Sequence, residues 1–172
     1  KWILSKLNTL VKEVTENIEK YELGVALAKL YDFIWNNFCD WYIEVLKPRF
    51  ADDCENACRV LSYVLRTSME LLHPYMPFIT ETIWQALPHD GESIVVTDYP
   101  EYTEAFNFPN EERSMERLIS AIRAIRNRRA EMNVAPSKKA KLFIVTNHNA
   151  TFNPAVTPFF QKLASASEVE YL

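Results

Sequence analysis

The densest chemistry in this 172-residue chain lies between Arg117 and Lys141, where eight Lys or Arg accompany one acid, Glu131. The local balance of +7 leaves −11 for the rest of a chain whose net charge is −4. Such asymmetry steers a polyanion to one end of a molecule while the acidic remainder discourages non-specific binding. Leading into and through the stretch, Met115, Leu118, Ile119, Ile122 and Ile125 recur at helical spacing, and the same face runs on to Arg126 and Arg129. An unpaired charge on a core-facing stripe is very costly. Two arrangements avoid that cost: ion pairs with Asp40 or Glu44, or a solvent-facing platform whose planar guanidinium forks take phosphates. One arginine could do each job.

A second concentration is aromatic. Tyr31 to Pro48 reads YDFIWNNFCDWYIEVLKP, with Tyr31, Phe33, Trp35, Phe38, Trp41 and Tyr42 inside about three helical turns. At about 100° per residue, Leu23, Leu27, Leu30, Ile34, Phe38, Trp41 and Val45 share one face. Trp35, Tyr42 and Leu46 form a second apolar strip, and Asp32, Asn36, Asp40 and Glu44 take the polar side. A helix this broadly apolar is a central element covered on two sides, so most of these rings are assigned to core. Flat rings are also what a protein offers to unstacked nucleic-acid bases.

Catalytic constellations are missing from the sequence. His73, His89 and His148 are scattered, and His73, beside Pro74, reads as a turn or cap histidine. The carboxylates spread over helix surfaces without an acid–base pair, and two glycines cannot build a phosphate loop. Three cysteines without C-x-x-C spacing indicate neither a disulfide framework nor a zinc site. Cys54 and Cys58 fall on the stripe of Leu61, Leu65, Met69 and Leu72 and are expected to be small core residues in a reducing, cytoplasmic setting. The sequon Asn149-Ala150-Thr151 is read as accidental, since no secretory signal precedes it. No apolar run approaches the roughly 20 residues of a membrane span.

These residues need elements to position them. The spacing predicts a first helix over about Trp2–Tyr21, a turn near Gly24, and the aromatic helix ending at Lys47-Pro48. A third helix, capped by Asp52 or Asp53, reaches Leu72. His73–Pro77 breaks the chain before a short helix at about Phe78–Leu87, with Phe78, Ile79 and Trp84 docking it. Residues 88–110 read as a linker containing a short extended stretch, Ser93–Thr97. A fifth helix covers about Glu111–Asn133; after Pro136 come a strand at Ala140–Thr146, a helix at Pro154–Ser165 and a strand at Val169–Leu172. The expected fold is mainly α: an antiparallel helical bundle over residues 1–135, then the start of a small α/β appendage over 136–172. Opening inside a helical pattern is the expectation for a piece of a longer polypeptide.

Four segments carry a resemblance: KWILSKLN at the start, FCDWYIE with Lys47-Pro48, LLHPYMPFITETIW at Leu71–Trp84, and RAEMNVAPSKK at Arg129–Lys139. In order and wording they resemble the anticodon-binding helical domain of the valyl branch of class Ia aminoacyl-tRNA synthetases. The likeness covers nearly the whole chain. Arg126 and Arg129 fall on a family pattern similar to I-R-x-I-R-A-E, whereas Arg128 departs from it, standing where an apolar residue is usual. The resemblance implies recognition of a valine tRNA through the adenosine and cytidine at the second and third anticodon positions. It also implies an upstream catalytic domain using ATP and magnesium, a downstream coiled coil, and no cofactor in this stretch. The family's ATP-binding signatures are absent here, so the chain alone is not expected to activate valine. Base-contact candidates are Trp35, Asn36 and Phe38, of which Phe38 also serves the core face. Arg123, Arg126, Arg128, Arg129, Lys138 and Lys139 are the candidates for the RNA backbone, with Lys141 extending the footprint. The competing reading is a helical protein-interaction or interdomain docking module.

Overall fold

Ile3, Leu7, Leu10 and Val14, spaced three and four residues apart, are all buried along α1 (Trp2–Glu19), as their periodicity requires. The computed structural model describes residues 1–47, 54–135, 137–148 and 150–172. Pro48, the capping Asp52 and Asp53, Pro136 and Asn149 of the sequon lie outside the described residues. Two units are resolved, Lys1–Phe108 and Pro109–Leu172.

In the first unit, α1 ends on a left-handed residue. Tyr21 has φ 60°, its N–H donates to Ile18 O, and the Glu22 N–H donates to Asn17 O at 2.8 Å. This is the paired bonding that satisfies the last carbonyls of a helix, at a position where glycine is usual. Gly24 lies one turn further on, inside α2 (Leu23–Asp32).

The aromatic helix departs from simple α geometry. After α2 the backbone widens into a π-helical segment, Phe33–Tyr42, before resuming as α3 (Ile43–Leu46). At the junction the Ile43 N–H donates to Phe38 O, five residues back. In this register residues five apart share a side. Phe33 and Phe38 are both buried, at 3% and 5% exposure, and Trp41, Tyr42 and Leu46 join them in the core. The 100° wheel is therefore corrected for Trp35, which leaves the apolar strip for solvent; Leu23 and Leu27, on the regular helix α2, are exposed because nothing among the described residues covers them.

α4 (Cys54–Leu72) buries Ala57, Val64, Ser68 and Leu71. That stripe is rotated by one residue from the one that includes Cys54 and Cys58, and both cysteines are exposed rather than core. α5 (Pro77–Gln85) begins on proline and buries Thr80 and Trp84, four residues apart. Phe78 falls on the opposite side and is 89% exposed; Ile79 is exposed as well, so only Trp84 of the three expected docking residues docks. Trp84 packs with Met69 and Ile94, its Nε1 donating to Glu70 Oε1 at 3.3 Å. His73 keeps a turn role, with Nδ1 2.7 Å from Thr80 Oγ1.

Residues 88–108 are fastened rather than free. The Glu81 carboxylate accepts from Ser93 Oγ (2.8 Å) and Ile94 N (3.1 Å), holding Ile94–Val96 in a 3-10 turn where an extended stretch was expected. Buried Asn8 exchanges two bonds with the Thr103 backbone (2.8 and 2.9 Å), and Ser5 Oγ accepts from Phe108 N (2.8 Å). Two polar side chains on the buried face of α1 thus bind the segment through its backbone.

The second unit joins α6 (Pro109–Glu131), β1 (Ala140–Ile144), a 3-10 turn at Pro154–Val156, α7 (Thr157–Leu163) and β2 (Ala166–Tyr171). β1 and β2 are parallel, with Leu142 opposite Val169 and Ile144 opposite Tyr171. Here α6 clusters with the α/β appendage, and hydrogen bonds tie it there. Thr151 Oγ1 donates to Ser114 Oγ, and Arg126 reaches the end of α7. The architecture is mainly α with a small α/β appendage.

Candidate nucleic-acid interface

The basic end of α6 is shaped by its own termination. Asn133 takes the left-handed conformation (φ 52°), and the Val134 N–H returns to Arg129 O at 2.9 Å. Asparagine is one of the few residues that adopts this geometry readily, so the EMNV wording encodes a helix stop. The chain then doubles back, with Lys138 N donating to Ala135 O at 3.0 Å.

Neither arginine of the apolar stripe is deeply buried. Arg126 is exposed, and its Nε donates to Leu163 O (2.5 Å), the last residue of α7, where helix carbonyls lack internal partners. Arg129 is half-buried, and its Nη2 donates to Ala135 O (3.3 Å) and Lys138 O. The cost of placing them there is met by backbone carbonyls of the same unit. Arg129 thereby fixes the turn that presents Lys138 and Lys139, both exposed. Arg123 and Arg128 are exposed on the same helix; Arg128 pairs with Glu131 at 3.0 Å across open solvent, a contact of small energy. Lys141 is neutralised by Glu170 and Glu168, which hold its ammonium pKa above the usual value. Its contribution to a phosphate-binding field is correspondingly reduced.

The rings sort by exposure. Trp35 is 53% exposed and lies 6.2 Å from the exposed ring of Tyr31, tilted at 51°. Asn36, beside it, donates from Nδ2 to Asp32 Oδ1 at 2.6 Å and is exposed. Phe38 is packed on Tyr42 at 6.0 Å inside the core. Its ring has no open face for a base, so it leaves the contact set. Leu23, Leu27, Tyr31 and Trp35 recur every fourth residue and are all exposed. Phe78 is a further open ring that periodicity assigned to packing. A signal for it was available: Phe78 lies about 200° from Thr80 on the helical wheel. A groove of about 900 Å³ beside α4 is lined by neither carboxylate nor histidine.

Open aromatic rings on the first unit and a cationic helix end on the second are the features a nucleic-acid-binding class of protein would require. Residues 1–144 match the family described as the anticodon-binding domain of tRNA ligase. The chain belongs to that family. Within it, the chain is 50% identical over 178 residues to a valine–tRNA ligase of Clostridium perfringens, covering 99% of this chain and 20% of the relative. It is 49% identical to the valine–tRNA ligase of Clostridium acetobutylicum, across 100% of this chain and 20% of that protein. The Oceanobacillus iheyensis valine–tRNA ligase is 47% identical over 152 residues, 86% of this chain and 17% of the relative. The chain therefore spans about a fifth of the length of these relatives. Among the described residues no helix is long and apolar enough to cross a membrane.

Proposed function

We propose that this chain reads the anticodon of a valine tRNA for a valine–tRNA ligase. The observation that carries the proposal is the exposed Tyr31–Trp35 pair with Asn36 beside it, in a chain whose family is defined by anticodon binding. Unstacked loop bases settle on such rings and present their edges to a neighbouring amide. Arg123, Arg126, Arg128, Arg129, Lys138 and Lys139 hold the phosphates, setting orientation while the rings and Asn36 supply selectivity. In this reading the adenosine and cytidine at the second and third anticodon positions are the bases recognised. Aminoacylation, with its ATP and magnesium, belongs to a catalytic domain outside this chain, and the setting is the cytoplasm.

A second reading rests on a specific observation: Leu23, Leu27, Phe78 and Ile79 are exposed, and the aliphatic members offer no flat face to a base. That surface suits the remainder of a synthetase, which makes interdomain docking compatible with anticodon reading elsewhere on the unit. The test is binding of valine tRNA against the same tRNA altered at the second anticodon position, over a range of salt. A preference of about tenfold, equivalent to about 1.4 kcal/mol, supports the proposal. Equal affinity for both RNAs, or no binding at physiological salt, overturns it.

A further inference from the structure

Cys54 and Cys58 sit one turn apart at the start of α4, both exposed, with their Sγ atoms 3.7 Å apart. Two chemistries compete for such a pair. A disulfide requires sulfurs at about 2.05 Å and Cβ atoms about 3.5–4.5 Å apart. Residues four apart on an α-helix hold their Cβ atoms about 5–6 Å apart, so oxidation would unwind the first turn of α4. Chelation needs no such movement. Two thiolates at about 2.3 Å from a tetrahedral ion place their sulfurs about 3.8 Å apart, which is the spacing observed.

The geometry points to Cys54 and Cys58 as a two-thiolate chelate for a thiophilic divalent cation of the zinc type. Cys54 and Cys58 supply two of the four positions of a tetrahedral ion, and the other two are left to water or another donor. The site is exchangeable, unlike a closed structural zinc centre. Because the thiolate and not the thiol is the ligand, binding displaces protons from sulfur and strengthens as pH rises. No redox step is involved: two S–H bonds give way to two metal–sulfur bonds, and the protons pass to solvent.

The test is a titration of the thiol-reduced protein with Cd²⁺ alone, followed by thiolate-to-metal charge-transfer absorption and by proton release. The expected result is a band saturating at one ion per chain. Cys54→Ser and Cys58→Ser each abolish it, while Cys39→Ser, in the π-helical segment, preserves it. Both serines stand on an exposed surface, and far-UV circular dichroism confirms that α4 is retained. Zn²⁺ added to the loaded, unsubstituted protein displaces the band, an arm that needs no variant. A band persisting in the Cys54→Ser/Cys58→Ser double variant, saturation at one ion per two chains, or no band at all overturns the inference.

Discussion

Replacing Trp35 and Phe38 by alanine, one at a time, separates the ring proposed to bind RNA from the ring that holds the fold. Trp35 is 53% exposed. Removing it forfeits about half of the roughly 3 kcal/mol that full burial of a large apolar side chain contributes, or about 1.5 kcal/mol of stability. Phe38 is 5% exposed and packed on Tyr42. Its truncation leaves a cavity in a core that cannot collapse around it, at a cost of about 3–5 kcal/mol. RNA affinity runs the other way. A base stacked on an aromatic ring contributes about 1–3 kcal/mol, so Trp35→Ala weakens binding by about 5- to 150-fold. Phe38→Ala, assayed where it remains folded, binds within about twofold of the unsubstituted protein. Urea unfolding supplies the first quantity, and fluorescence anisotropy with a labelled valine anticodon stem-loop supplies the second. Unchanged affinity in Trp35→Ala, or a large affinity loss with little stability loss in Phe38→Ala, refutes the assignment.

The basic turn predicts a salt dependence: six phosphate contacts to single-stranded RNA give a slope of about −4 in log affinity against log salt. The double variant Lys138→Ala/Lys139→Ala should flatten that slope by about 1.4, and an unaltered slope removes these lysines from the interface. Tyr21→Gly relieves a left-handed residue that is 90% exposed and should raise stability by about 0.5–1 kcal/mol in thermal or urea unfolding; a loss of stability would show that the Tyr21 ring contributes more than its backbone costs. Burial pushes the Tyr99 hydroxyl up to about 12, and it donates to Leu71 O at 3.3 Å. Because the folded pKa exceeds the unfolded one, this contribution is intact below pH 10 and is lost as pH rises from about 10 to 12. Ultraviolet titration should show a late tyrosinate step that disappears in Tyr99→Phe, and an unchanged titration would count against it.

Much of this protein was legible in its residues. The stripe Ile3, Leu7, Leu10 and Val14 identified α1, and the alternation of strand and helix signals after residue 136 identified the β-α-β appendage. The wording FCDWYIE and RAEMNVAPSKK pointed to the family. These are local or contiguous signals, readable wherever periodicity or a motif is intact. Tertiary structure decided which side of each amphipathic element is covered, because a wheel shows that a face is apolar without showing what lies against it. Cys54, Cys58, Leu23, Leu27 and Phe78 were assigned to packing on that basis, and nothing within the described residues buries them. It decided the hydrogen-bond register of Phe33–Tyr42 as well. A shift from four to five residues per backbone bond turned Phe33 and Phe38 inward together and left Trp35 outside. For Arg126 and Arg129, the composition demanded partners for two charges on an apolar stripe. Only the fold could show that carbonyls at the end of α7 and in the turn after α6 supply them, since those oxygens converge on the guanidinium groups through chain reversals that no spacing rule encodes.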